Sequence, residues 1–197
     1  YTALFNNDQI IESALLSLKI AATSATFATI LGTMAGIALT QMGRYRGRFI
    51  FTGLIAAPLV MPEVITGLSL LLMFVSLQEL IGWPMSRGAG TITIAHITFS
   101  MAYVAVIVQS RLSSMDQSLQ EAAMDLGGRP MQVAFDITLP LIAPSMLSGW
   151  LLAFTLSLDD LVIASFTSGA GASTLPMVIF SKIKLGVTPD VNALATL

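Results

Sequence analysis

The sequence predicts an all-α protein, a bundle of helices that cross a membrane several times. Of its residues 55% are apolar and only 10% charged, well outside the balance of soluble domains, where about a quarter of residues carry charge. Apolar stretches recur at the length of roughly 20 residues that a helix needs to cross about 30 Å of hydrocarbon. Arginines gather in the segment Gly43-Arg44-Tyr45-Arg46-Gly47-Arg48, as the positive-inside rule describes for a cytoplasmic loop. The near-even balance of acids and bases, net −2, argues against a nucleic-acid partner, which calls for a basic face. Without cysteine, disulfides and cysteine-based metal or redox sites are excluded. Tyr1 to Asp8 is polar and does not read as a signal peptide, and the missing initial Met reads as a piece of a longer chain.

The first complete span is expected over Leu15 to Leu39. Its Gly32, Ala35 and Gly36 and its many small hydroxyl residues are the side chains that let helices approach closely in lipid. The arginine loop follows on the inside, and Phe49 to Leu77 makes the second span. Glu79 to Gly90, with Trp83 and Pro84, forms an outer loop, and Thr91 to Val108 forms the third span. The chain stays inside from Arg111 to Pro140, then crosses as a fourth span from Leu141 to about Thr167. A flexible outer turn, Ser168 to Ser173, leads to Leu175–Leu185, read as an amphipathic segment at the outer surface. Gly186 to Asp190 breaks it, and Val191 to Leu197 reads as the start of a further span. No repeat or soluble unit interrupts this order, so residues 1–197 form one transmembrane domain with a cytoplasmic loop at 111–140.

Three carboxylates fall inside apolar segments. Glu63 follows Pro58 and Pro62 in the second span, where each proline removes a backbone hydrogen bond and crowds the carbonyl four residues back. The helix is therefore expected to kink or unwind just before Glu63. A carboxylate at membrane depth costs about 2.5–3.5 kcal/mol on the insertion scale, so Glu63 must either pair with a neighbouring helix or line a polar pathway. Asp159 and Asp160 lie in the outer half of the fourth span. Neighbouring positions on a helix diverge by about 100°, so one can face a pathway while the other caps or pairs; the alternative is an interfacial pair. Lys19, near the outer end of its span, reads as snorkelling. His96, alone, reads as a packed or interfacial histidine and not as a metal ligand. No catalytic apparatus is evident, and no Gly-x-x-x-x-Gly-Lys-Ser/Thr phosphate loop is present.

The most informative stretch is the polar one between the third and fourth spans. Asp116 to Leu126 reads as a short helix with Leu119, Ala122, Ala123 and Leu126 on one face, ended by Gly127 and Gly128. Pro130 fits the start of a second short helix, Met131 to Thr138, with Pro140 and Pro144 opening the next element. Such a knuckle is too polar for lipid and too apolar to stand free, so it calls for a protein partner.

Glu121-Ala122-Ala123, then Gly127, Ile137, Leu139 and Pro140 at their spacing, resemble the EAA signature of permease subunits of bacterial binding-protein-dependent ABC importers. Pro58-Leu59-Val60-Met61-Pro62-Glu63 and Ser157-Leu158-Asp159-Asp160 are similar to the polyamine branch of that family, above all to putrescine permeases. The resemblance covers almost the whole chain. It implies a six-span inner-membrane subunit, with the first span and most of the last absent here, whose loop docks on an ATPase through Glu121, Ala122, Ala123, Gly127, Ile137, Leu139 and Pro140. It further implies a homologous permease partner, two ATPase subunits that hold ATP and Mg, and a periplasmic substrate-binding protein, with no cofactor in this chain. Carboxylates in the pathway, from Glu63, Asp159 and Asp160, suit a small cation such as putrescine or spermidine. The same architecture also serves other solutes, such as an iron chelate, an amino acid or thiamine; an ion channel or an intramembrane protease would leave the polar loop without a docking role.

Overall fold

A computed structural model describes residues 7–43, 45–116 and 118–185. Arg44 and the expected break and further span beyond Leu185 lie outside the described residues. The order of elements is α1 (Asp8–Gln41), α2 (Arg48–Val60), α3 (Glu63–Ile81), α4 (Ala89–Ser113), α5 (Ser118–Asp125), α6 (Pro130–Val133), a π-helical turn (Ala134–Thr138), α7 (Leu139–Leu158), α8 (Val162–Thr167) and α9 (Leu175–Leu185). Segments long and apolar enough to cross a membrane are α1, α3, α4 and the run Pro130–Leu158.

Small residues set the centre of the bundle. A Cβ on Gly32 would stand 2.7 Å from Cβ of Val104, and one on Gly36 would stand 3.0 Å from Cγ1 of Val108. The four-residue step on α1 is thus matched by a four-residue step on α4 in the same sense, so the two helices run in parallel. Val104 is also met from the other side by Gly149 of α7, whose Cβ would lie 3.2 Å away. α7 runs the opposite way, from the arginine-rich end to the far end. Ala25, Ala28, Val104, Val108, Leu112, Ile142 and Ala153 form the buried core among these three helices. Close backbone approach replaces the hydrophobic effect as the source of cohesion where the surrounding solvent is itself apolar.

Two expected spans are broken. In place of one span over Phe49 to Leu77 the chain forms α2 and α3, separated at Met61-Pro62, where Met61 is extended (φ −78°, ψ 137°). The break falls immediately before Glu63, where the proline pair placed it. The fourth span breaks as well. α7 ends at Leu158, and α8 begins at Val162, so Asp159 and Asp160 sit in a helix interruption and not within a continuous helix as expected. α3 packs on α8, with Gly67 close to Ile163 and Phe166, so the two broken elements are neighbours.

The knuckle also departs from expectation. Its first helix, α5, matches, but the second arm is not a separate helix. α6 passes through the π turn directly into α7, giving one run from Pro130 to Leu158. The proline explains the turn. Pro140 has no N–H for the carbonyl of Asp136 and its ring would crowd that oxygen, so Leu139 N–H instead bonds five residues back to Ala134. At the same end Arg48 donates to the carbonyls of Leu39 (2.6 Å) and Gly43, closing the corner between α1 and α2 on carbonyls left free at a helix C-terminus. At the far end the Leu175 N–H donates to Ser17 Oγ at 2.8 Å, which seats α9 on α1.

Candidate functional site

The carboxylates expected in a pathway take different positions. Glu63 is in the first turn of α3 and exposed on this chain. Asp159 is exposed too, whereas the side chain of Asp160 is 7% exposed. Adjacent residues in the α7–α8 interruption therefore differ in exposure, one turned to the surface and one into the bundle. The two outward carboxylates, Glu63 and Asp159, each lie beside a helix break on packed neighbouring segments.

Asp160 is held by an extended polar chain. Its Oδ2 accepts the Ala164 N–H at 2.7 Å and faces His96 Nε2 at 3.2 Å, while Oδ1 accepts the Ile163 N–H at 3.3 Å. His96 Nδ1 is 2.6 Å from Ser157 Oγ, and Ser24 Oγ donates to Ser157 Oγ at 3.0 Å. One set of hydrogen positions satisfies the row: Ser157 donates to Nδ1, and an Nε2-protonated imidazole donates to the carboxylate. The row ties α1, α4, α7 and α8 together inside the bundle. His96 is 2% exposed, packed as its sequence environment indicated, yet with a carboxylate partner that the sequence reading did not assign. Serine, histidine and aspartate in hydrogen-bonding order suggest a hydrolase triad, but Ser157 is buried and already accepts from Ser24. Its oxygen has no open side for an acyl group, so the row is architectural.

The knuckle residues come together as one turn at the arginine-rich end. Asp116 accepts the Ser118 N–H at 3.0 Å ahead of α5, and that backbone bond, with a second from the Ser118 side chain, holds its carboxyl below the ordinary value. After α5, the Gly127 N–H bonds to Met124 O and the Gly128 N–H to Ala123 O, the double closure of a Schellman motif. The two glycines serve for different reasons. Gly127 has φ +90°, which L side chains avoid, while a Cβ on Gly128 would meet Ala123 O at 2.7 Å. Gln120 Nε2 donates to Thr138 Oγ1 at 3.1 Å, fastening α5 to the foot of α7.

Glu121 lies beside a cleft of about 210 Å³ formed with Thr40, Gln41, Leu112, Met115 and Gln120. Met124 also lines this cleft, and the knuckle carries further uncovered apolar side chains: Leu119, Met131 and Phe135 are exposed and Leu126 is 90% exposed. Ala122 and Pro140 are exposed, and Ala123, Ile137 and Leu139 are partly buried. Backbone amides are thus satisfied internally while large side chains stand free, the character of a docking surface.

Comparison with known proteins adds the following. The family described as "Binding-protein-dependent transport system inner membrane component" matches residues 28–189. The chain is 60% identical over all 197 residues to the "Putrescine transport system permease protein PotI" of Escherichia coli K12, covering 70% of that protein. It is 44% identical to the "Spermidine/putrescine transport system permease protein PotC" of Haemophilus influenzae, again over its full length and 74% of the relative. Among solved structures it is similar to a chain of the inward-facing MetNI methionine ABC transporter, with a TM-score of 0.77 at 16% identity, covering 95% of this chain and 86% of that one. It is also similar to a chain of a bacterial ABC transporter that imports the acidic polysaccharide alginate, with a TM-score of 0.72 at 19% identity, covering 100% and 67%. At such identities these two likenesses concern the fold alone.

Proposed function

Because the chain belongs to the family of inner-membrane components of binding-protein-dependent transport systems, we propose that it is the permease subunit of an ATP-driven importer of putrescine or spermidine. It supplies half of the translocation route, and a homologous permease supplies the other half. ATP and Mg belong to two separate ATPase subunits, and a periplasmic binding protein delivers the substrate. Residues 1–197 act as one permease domain, with 111–140 as its cytoplasmic coupling loop.

The observation that carries the substrate class is the 60% identity to a putrescine permease along the whole chain. The charge pattern supports it. A diamine taken into a narrow route loses hydration worth several kcal/mol per ammonium group unless anions or acceptors replace water. Glu63 and Asp159 offer two such anions beside helix breaks, where backbone carbonyls also lack helical partners. Few carboxylates are wanted, since binding must stay weak enough for release.

For coupling, the exposed apolar residues of α5 and the start of α6 dock in the ATPase, with Glu121, Ala122, Ala123 and Gly127 shaping the contact and Ile137, Leu139 and Pro140 joining it to α7. The run Pro130–Leu158 spans about 43 Å at 1.5 Å per residue and ends at Asp159. Movement of the knuckle by the ATPase is therefore delivered to the carboxylate pair by one helix. The test is uptake competition in the assembled importer, using diamines, triamines, amino acids and inorganic anions. Inhibition by diamines or triamines is expected, and inhibition confined to amino acids or anions would replace the polyamine reading with another solute.

A further inference from the structure

The polar row from Ser24 to Asp160 has a consequence for the residue next to it. Asp160 caps backbone N–H groups at the start of α8 with both oxygens, and a carboxylate so used is fixed in position. The same Oδ2 faces His96, whose other nitrogen is held by Ser157, itself bonded to Ser24. His96 lies on α4, which approaches α1 closely at Gly32 and Gly36. A rigid pair of helices therefore holds one residue of the interruption. Asp160 is held inward, while Asp159, at the end of α7 with its N–H on the Thr155 carbonyl, is exposed.

We propose that His96 is a positioning residue for the cation route: by holding Asp160 through Nε2 it keeps the α7–α8 interruption in the register that turns Asp159 outward. The row confines the flexible point of a long helix to a single place. Asp159 continues α7 in helical conformation, with its N–H on the Thr155 carbonyl, and His96 holds that end of the helix at Ser157 as well as at Asp160. Were the Nε2 bond lost, one of these two points would go and the end of α7 could turn, carrying Asp159 with it. This rests on the reading of Asp159 as a route residue, but the exposure of Asp159 stands without it.

The test uses the two amides that imitate one imidazole nitrogen each. His96→Gln keeps a donor at the reach of Nε2, and His96→Asn keeps polarity only at the reach of Nδ1. Residues 1–197 contain no cysteine, so Asp159→Cys gives the one thiol among them, and its reaction with a cationic thiosulfonate, read against the subunit with Asp159 retained, reports its exposure in the assembled importer. His96→Gln should leave the labelling rate unchanged, while His96→Asn should change it about fivefold, the scale of losing one helix cap.

In chains retaining Asp159, His96→Asn should raise the KM of putrescine uptake with the maximal rate per assembled complex preserved. Asp160→Asn should act in the same direction, and combining it with His96→Asn should add little, because both remove one interaction. Equal labelling in Gln and Asn variants, whether both unchanged or both altered, would overturn the positioning role, since volume and not the Nε2 donor would then decide. If labelling follows the expected split while Asp159→Asn leaves KM untouched, the positioning stands and the route assignment of Asp159 falls.

Discussion

Pro62 and Glu63 show how two residues set a local feature that the rest of the chain must accept. Pro62 precedes the first turn of α3 with no N–H to continue α2, so the interruption is built in covalently, and Glu63 follows it as an exposed carboxylate. Pro62→Ala is expected to restore a helical hydrogen bond, draw α2 and α3 toward one helix and turn Glu63 from the route. Uptake should fall while the complex still assembles, and Glu63→Gln should lower uptake without any change in helix geometry. Wild-type uptake rates in both variants would remove Glu63 from the route. At Asp159 the corresponding change is to Asn, which keeps size but not charge. It is expected to raise the KM for a diamine and to leave basal ATP hydrolysis intact, as read by uptake and phosphate release on the same preparation.

At the scale of elements the glycines divide into two kinds. Gly127 takes a left-handed conformation that costs a residue with a Cβ about 1–2 kcal/mol, more for a β-branched one, and its site has open space around it. Gly127→Val is thus expected to unmake the turn between α5 and α6 and to abolish substrate-stimulated ATP hydrolysis, measured in the reconstituted complex. Gly32 is helical and ordinary in conformation, but the neighbouring helix fills the space a side chain would need. Gly32→Val should overpack the α1–α4 contact by about 1–3 kcal/mol, seen as a lower thermal midpoint of the purified importer. Asp116 acts on α5 in a pH-dependent way. Its carboxyl is lowered from the ordinary 3.8 by the Ser118 hydrogen bonds, so the cap is present above that value and is lost only as pH falls through the depressed one. Neutral or mildly acidic solution leaves it in place.

For the whole molecule the governing feature is the continuous helical run from Pro130 to Leu158, with the knuckle at one end and Asp159 and Asp160 at the other. A helix transmits rotation and translation only while its hydrogen-bond ladder is continuous. Insertion of two glycines after Leu139 should therefore leave assembly and basal ATP hydrolysis near the starting level but uncouple hydrolysis from uptake. Retained uptake in that variant, measured per ATP hydrolysed, would show that movement reaches the route by another path. The rod is seated in the bundle by close approach at Gly149, which meets Val104 from α7 as Gly32 does from α1, and by the Trp150 Nε1 bond to Thr26.

Much of this was determined by the sequence alone, because the causes act over a few residues. Apolar length sets the spans, paired prolines set the break before Glu63, and Gly127-Gly128 set the turn after α5. The identification of the permease family likewise rested on short-range spacing in the knuckle. Tertiary structure decided the rest. The interruption at Asp159 and Asp160 has no proline or glycine to announce it; it exists because Asp160 finds His96, 64 residues earlier in the chain, and the free amides of α8. Which aspartate faces outward could not be read from two adjacent identical residues, since only the position of α4 distinguishes them. The continuity of the knuckle with α7 was hidden for the opposite reason. Pro140 and Pro144 read locally as helix starts, and a π turn absorbed the first of them within a helix that packing against α1 and α4 keeps whole.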